Sequence, residues 1–200
     1  KYTKDKFYNL KINTNASLLD EEMSRVILES GVKTLVFSAD AANSNLYSKL
    51  RVNGKLEKVV KNIKRFQKIR IQDYPKSKII TRVSGVKVNN QQDLEDMEIF
   101  WGDVVDQVAF VDYMPWENVY ESECSGVQTP CSDLWRRMFV WWDGKVNPCD
   151  TDYKSKLSIG NLNNNNISEL WKSNNYSKLR QDHESKLRKN ISPCNRCVLI

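Results

Sequence analysis

Thr34-Leu35-Val36-Phe37-Ser38 is a five-residue run with three large apolar side chains at its centre and neither a charge nor a glycine. A strand buried on both faces reads this way, and such strands belong to parallel sheets covered by helices. Upstream of it, Leu19 to Ser30 carries a helical pattern, with Met23, Val26 and Ile27 predicted on one side and Gly31 as the C-terminal stop. Before that helix, Tyr8 to Thr14 has a strand pattern. Downstream come helical patterns over Ser44–Leu50 and Leu56–Ile69, a strand from Lys78 to Val88, a helix from Asp93 to Trp101 and a strand from Gln107 to Asp112.

Strand and helix alternating through short loops imply right-handed βαβ units around a parallel sheet, an α/β fold. Four strands are too few to close a barrel, so the residues leave open a doubly wound sheet or a partial (βα) barrel. In both, ligands sit at the carboxyl ends of the strands. Those ends are Thr14-Asn15, Ser38-Ala39-Asp40, Ser84-Gly85 and Asp112-Tyr113.

The alternation stops at Tyr113. Pro115, Ser125-Gly126 and Thr129-Pro130 mark residues 114–130 as a connector. Residues 131–200 then form a second, smaller unit, holding four of the five cysteines and four of the six tryptophans. Arg137–Trp142, Asp143-Gly144 and Lys145–Asn147 predict a hairpin with a type I′ turn. Asn166 with Glu169 predicts a capped helix over Ile167–Lys172. A further helix is expected from Tyr176 to Arg188, with Tyr176, Leu179, His183 and Leu187 on one face. His183, the single histidine of the chain, belongs on that packed face rather than among metal ligands.

Composition narrows the class. With 40% hydrophobic and 28% charged residues in 200, the chain can build a sizeable core and reads as soluble and globular. No apolar run approaches the roughly 20 residues that span a bilayer, and Lys1 to Leu10 has no apolar signal-peptide core. The net charge of +6 comes from lysines scattered among acids, as in Lys55-Leu56-Glu57-Lys58. That is the pattern of solvated helix faces rather than a nucleic-acid patch. Opening at Lys1 almost directly into a strand suggests a piece of a longer protein. Five cysteines, an odd number, without an export signal point to the cytoplasm, where thiols bind metals more often than they pair.

Cys194-Asn195-Arg196-Cys197 can chelate one metal centre. The hairpin between Cys131 and Cys149 should bring two more thiols together, and four thiolates suffice for a cubane cluster or a structural zinc. Most zinc ribbons use two such CxxC knuckles and this chain has one, a tilt toward iron. The competing reading is a zinc-stapled binding module on an α/β domain, whose basic surface and tryptophans would stack on nucleic acid or glycan.

The ordered set Cys131-Ser132-Asp133-Leu134-Trp135, Trp142 through Asp150, Gly160-Asn161-Leu162, Ile167 through Trp171, Leu179-Arg180 and Pro193-Cys194-Asn195-Arg196-Cys197 resembles the SPASM/twitch extension of radical S-adenosylmethionine enzymes. Thr14-Asn15-Ala16, Phe37-Ser38-Ala39-Asp40, Tyr47, Arg51 and the helix over Leu56–Ile63 are similar to the later strands of that family's partial barrel. The family's Cys-x3-Cys-x2-Cys motif, which holds the cluster that cleaves S-adenosylmethionine, is not in these residues and would precede Lys1. The resemblance implies a fragment: residues 1–113 as the C-terminal part of the barrel and 131–200 as the iron–sulfur domain. The single closing CxxC fits one auxiliary [4Fe-4S] cluster, with Cys131, Cys149, Cys194 and Cys197 as its ligands. Cys124 is expected to be a plain loop thiol.

By the same resemblance, Asn15, Ser38 and Arg51 would contact S-adenosylmethionine, the arginine by forking onto the methionyl carboxylate. Asp150 falls where some members transfer a substrate proton, or it is a carboxylate capping the turn. The intact enzyme would use a second [4Fe-4S] cluster to make a 5′-deoxyadenosyl radical and modify a peptide, sugar or small metabolite. It would take its electrons from a donor such as flavodoxin or ferredoxin, and this chain alone should be inactive.

Overall fold

The computed structural model describes residues 2–115 and 118–200, so Lys1 and residues 116 and 117 of the expected connector lie outside the described residues. The chain separates into two compact units, Lys1–Tyr113 and Met114–Ile200.

The first unit runs β1 (Lys11–Thr14), α1 (Glu21–Glu29), β2 (Thr34–Ser38), α2 (Ser44–Leu50), α3 (Leu56–Asp73), β3 (Ile80–Lys87), α4 (Leu94–Gly102) and β4 (Gln107–Asp112). All four strands are parallel and lie side by side in chain order. That order decides between the two expected architectures. A doubly wound sheet reverses its winding direction partway. A sheet wound steadily in one direction with right-handed crossovers puts its helices on one face, as in a barrel.

The covered face is the core. Leu35 and Phe37 are fully buried, and Phe37 meets Phe66 of α3 edge to face at 6.2 Å. Met97 and Trp101 of α4 join the same cluster. Because neighbours along a strand point to opposite faces, Val36, Ser38, Arg82 and Ser84 share the other face, where Val36 pairs with Arg82 and Ser38 with Ser84.

Side-chain caps set the helix starts. Asp20 accepts from the Met23 amide at 2.8 Å, Asn43 from Leu46 at 2.9 Å, and Asp93 from Glu95 and Asp96, each satisfying an amide the first turn leaves free. Gly31 sits past α1 at φ +83°, the left-handed position that ends helices. The α1 face differs from expectation: Met23 and Val26 are exposed, and Ser24 with Ile27 is buried. The Ser24 hydroxyl donates to the Asp20 carbonyl at 2.5 Å, so a serine fits inside and shifts the buried stripe by one residue. The α3 helix continues past Ile69 to Asp73 because Asp73 pairs with Arg25 of α1 at 2.7 Å.

The second unit runs α5 (Asn118–Glu121), α6 (Asp133–Arg136), β5 (Phe139–Val140), β6 (Lys145–Asn147), β7 (Gly160–Asn161), α7 (Ile167–Trp171) and α8 (Asn174–Glu184), then a 3-10 turn at Leu187–Asn190. The three short strands pair antiparallel in chain order. The hairpin turns where expected but not as a two-residue type I′ loop. The Gly144 amide donates to the Trp141 carbonyl and the Trp141 amide to the Lys145 carbonyl, with positive φ at Gly144 and not at Asp143. This is a three-residue loop closed by a glycine bulge. The capping box of Asn166 and Glu169 forms as expected, in both directions, at 2.9 and 3.1 Å. The α8 helix is shorter than expected: it ends at Glu184, and Lys186 takes a left-handed conformation at φ 59°. Leu187 is left 41% exposed, and Arg188 turns inward instead.

Candidate metal centre

Three stretches of the second unit converge on one cavity. Cys131 comes from the loop before α6, Cys149 follows β6, and Cys194 and Cys197 come from the loop after the 3-10 turn. All four line the cavity, together with His183 and Arg188. Cys124 does not line it; its exposed thiol accepts from Asn195 Nδ2 at 3.6 Å. Among the described residues, no three His, Cys, Asp or Glu side chains form a group that could hold a single metal ion.

Each stretch is held by its own sequence. Asn147, fully buried, donates Nδ2 to the Asp152 carbonyl and the Ser155 hydroxyl at 2.9 Å each, folding the chain around Cys149. Asp152, also fully buried, accepts from the amides of Lys156 and Leu157 at 3.0 and 2.7 Å and from the Tyr120 hydroxyl. These turn amides go to Asp152; Asp150 is half-buried. The CxxC loop is braced from two sides. The Ser125 amide and hydroxyl donate to the Asn195 and Cys197 carbonyls, and Arg196 Nε donates to the Ser122 carbonyl at 2.6 Å.

Arg188 is the centre of that brace. It is 1% exposed, and it donates from Nε to the Cys194 carbonyl at 3.1 Å, from Nη1 to Thr129 at 2.9 Å and from Nη2 to Cys197 at 2.7 Å. No carboxylate among the described residues lies within ion-pairing distance of it. A buried cation with no anionic partner is costly, and this one lines the same cavity as four thiols, groups that would be anions if they held a metal. Sequence reading passed over it, because Lys186-Leu187-Arg188-Lys189 has the pattern of a solvated face.

Burial pushes the thiols of Cys149 and Cys194 up to about 12, with neighbouring thiols adding to the effect. Cys131 is raised for the same first reason, and a backbone hydrogen bond at Asp133 works the other way. Raised in this way the three are neutral thiols near pH 7, and a bound metal would make them thiolates. His183 is fully buried on α8. Its Nδ1 accepts from the Cys131 amide at 3.3 Å, its Nε2 is buried without a hydrogen-bond partner, and burial lowers its pKa to about 4.

The remaining candidates lie on the first unit. Ser38 ends β2 on the face away from the helices. Asn15 follows β1, with Oδ1 accepting from the Ser17 amide at 3.0 Å and the Ser17 hydroxyl at 2.7 Å. Arg51 Nε donates to Asp40 Oδ2 at 2.5 Å, while Asp40 Oδ1 accepts from the Val86 amide at 2.8 Å. Arg51 is half-buried, and its two terminal nitrogens meet no hydrogen-bond or ion-pair partner among the described residues.

Residues 131–198 match the family model of SPASM, an iron–sulfur cluster-binding domain. In fold the chain is similar to SuiB of Streptococcus suis bound to precursor peptide SuiA, at 14% identity and TM-score 0.63, over 85% of this chain and 49% of SuiB. It is similar to anSMEcpe with bound AdoMet and Kp18Cys peptide, at 15% identity and TM-score 0.61, over 88% and 60%. A third is BtrN in complex with AdoMet and 2-DOIA, at 15% identity and TM-score 0.51, over 96% and 61%. The chain thus spans about half to three-fifths of the length of these structures. No curated protein matches it. No helix among the described residues is long and apolar enough to cross a membrane.

Proposed function

We propose that this chain, with a SPASM domain at residues 131–198, is the later part of a radical S-adenosylmethionine enzyme and holds one auxiliary [4Fe-4S] cluster. Cys131, Cys149, Cys194 and Cys197 are its ligands. The observation that carries this reading is the convergence of those four thiols, from three separate stretches, on one cavity inside the matched domain. A cluster there supplies one-electron chemistry. The chain's own part is to fix the four sulfurs, to keep water from them through burial, and to offset their negative charge with the Arg188 cation.

The zinc-stapled module is the competing occupant: a single zinc, with bonds of about 2.3 Å, needs its four sulfurs within roughly 4 Å of one another, whereas a cubane spreads its ligands around eight core atoms.

In the intact enzyme the polar face of the first unit is the S-adenosylmethionine side, with Asn15, Ser38 and Arg51 as contacts. The Arg51 terminal nitrogens are available to fork onto a carboxylate while Asp40 holds its Nε. Two of the solved relatives carry AdoMet and two carry peptides, which supports a peptide substrate alongside a sugar or small metabolite. Asp150, directly after a ligand, is the proton-transfer residue of this reading, and a flavodoxin or ferredoxin is the electron donor.

Anaerobic reconstitution with iron and sulfide tests the core of it. The wild-type chain should turn brown and bind about four irons. Serine at any of the four ligand positions should abolish that, whereas Cys124→Ser should leave it intact. A colourless chain holding about one zinc would sink the proposal.

A further inference from the structure

We infer that His183 donates a hydrogen bond from Nε2 to a sulfur of the group held by the four cysteines, and so tunes its reduction potential. The inference rests on the cluster reading above and goes beyond it by giving this residue a role as neither ligand nor plain core.

The Cys131 amide has only a hydrogen to offer, so Nδ1 of His183 is the acceptor in their contact at 3.3 Å. In a neutral imidazole the proton is then on Nε2, which is a donor. Nε2 is buried and meets no hydrogen-bond partner among the described residues. A handful of other buried side-chain polar atoms share that condition, namely those on Arg65, Gln67, Trp141, Asn147 and Arg180. None of those residues lines the cysteine cavity, and His183 does.

An unpaired buried N–H costs about 1–3 kcal/mol, so a place is being kept for an acceptor. The other polar groups around the cavity are largely spoken for. Arg188 spends three nitrogens on carbonyls, and Asp133 is paired with Arg136 and Arg137. The acceptors that remain in the lining are the Thr151 hydroxyl and the four sulfurs, and of these the sulfurs, as thiolates or cluster sulfides, are the charged ones.

The same ring therefore does two things. Through Nδ1 it fixes the backbone of Cys131, and through Nε2 it withdraws electron density from the cluster. A donor to cluster sulfur favours the reduced, more negative state and raises the potential. His183 acts through the cluster and is a positioning residue, not a catalytic one.

The test uses the anaerobically reconstituted 200-residue chain. His183→Asn keeps an acceptor near the Nδ1 position and removes the distal donor, and His183→Gln restores an N–H near the Nε2 position. At a fixed potential, His183→Asn should cut the ratio of reduced to oxidised cluster about threefold to tenfold, tenfold being 59 mV for one electron. His183→Gln should recover most of it. A second measurement needs no variant. Because the chain has one histidine, 15N-histidine labelling makes any 15N hyperfine coupling at the reduced cluster report on His183 alone.

Wild-type coupling together with the Asn and Gln shifts supports the inference. A fully loaded His183→Asn chain with the wild-type midpoint, or wild-type chain without 15N coupling, overturns it and leaves the cluster reading standing. If His183→Asn fails to load, the labelled wild-type chain decides alone. A wild-type chain that takes up no iron and sulfide overturns the cluster reading and this inference with it.

Discussion

Replacing Arg188 by methionine keeps the stem and removes the charge and every donor. The three carbonyls it serves, of Thr129, Cys194 and Cys197, are braced from a side chain only 1% exposed. A hydrogen bond from a charged donor contributes about 1.5–3 kcal/mol, so three amount to about 5–9 kcal/mol before relaxation. Two effects reduce that figure. The Cys197 carbonyl keeps the Ser125 hydroxyl at 3.1 Å, and the desolvation cost of a buried cation without an anion disappears. The expected net loss is about 3–5 kcal/mol in the metal-free chain, a large part of the 5–15 kcal/mol that holds a typical domain together. Guanidinium unfolding followed by tryptophan fluorescence measures it, and hydrogen exchange over residues 118–200 localises it. Arg188→Lys should recover less than half, because an ammonium cannot fork to three separated acceptors as a guanidinium does. A loss below about 1 kcal/mol for Arg188→Met would refute the view that Arg188 organises the cysteine loop.

Asp106 gives a pH dependence. Its carboxylate takes both terminal nitrogens of Arg70, at 2.5 and 2.8 Å, and the Thr81 amide and hydroxyl, which hold its pKa down at about 2, the arginine bonds first. A depressed acid stabilises above its ordinary pKa near 4 and loses that contribution as pH falls through about 2. Acid unfolding of the first unit should therefore steepen between those values, and Asp106→Asn should flatten that window. Gly85→Ala should destabilise the same unit by about 1–3 kcal/mol in thermal melts, because the added methyl would lie 2.5 Å from the Ala39 carbonyl oxygen and 2.8 Å from the Phe110 ring. Asn166→Ala removes the side-chain arm of the α7 capping box, leaving the amide of residue 166 on the Glu169 carboxylate, and should cost about 1 kcal/mol; a neutral result by denaturant titration would mean that the packing of Leu170 alone sets the helix start.

What the sequence makes legible follows from what is local. The Thr34–Ser38 and Gln107–Asp112 strands and the Ser44–Leu50 helix stand at the expected bounds, since apolar runs and helical periodicity are short-range signals. The Asn166–Glu169 box is read from two residues and forms as read. The choice between doubly wound sheet and barrel is not local: it lies in strand order, which no single stretch encodes. The α1 face is not legible in this way, because Ser24 satisfies its hydroxyl on its own helix and can be buried, which hydrophobicity does not foresee. The four cysteines are visible by spacing, and the structure gathers them at one cavity. Arg188 is invisible for the opposite reason, since its inward turn depends on Lys186 breaking the helix and on carbonyls contributed from Thr129 and the CxxC loop. Asp152, rather than Asp150, caps the turn after Cys149 because the amides of Lys156 and Leu157 return to it.

The wide separation of the cysteines along the chain also sets a timetable. Cys194 follows Cys131 by 63 residues, and at synthesis rates of about 5–20 residues per second it leaves the ribosome about 3–13 s later. During that interval Cys131 and Cys149 stand as half a chelate, without the loop that Arg188 braces, open to oxidants and to any thiophilic ion that two sulfurs can hold. A four-sulfur occupant can be seated only after the CxxC loop has been made and folded back. On the proposed reading, loading therefore waits for the CxxC loop, and the first two thiols must stay reduced and empty until then.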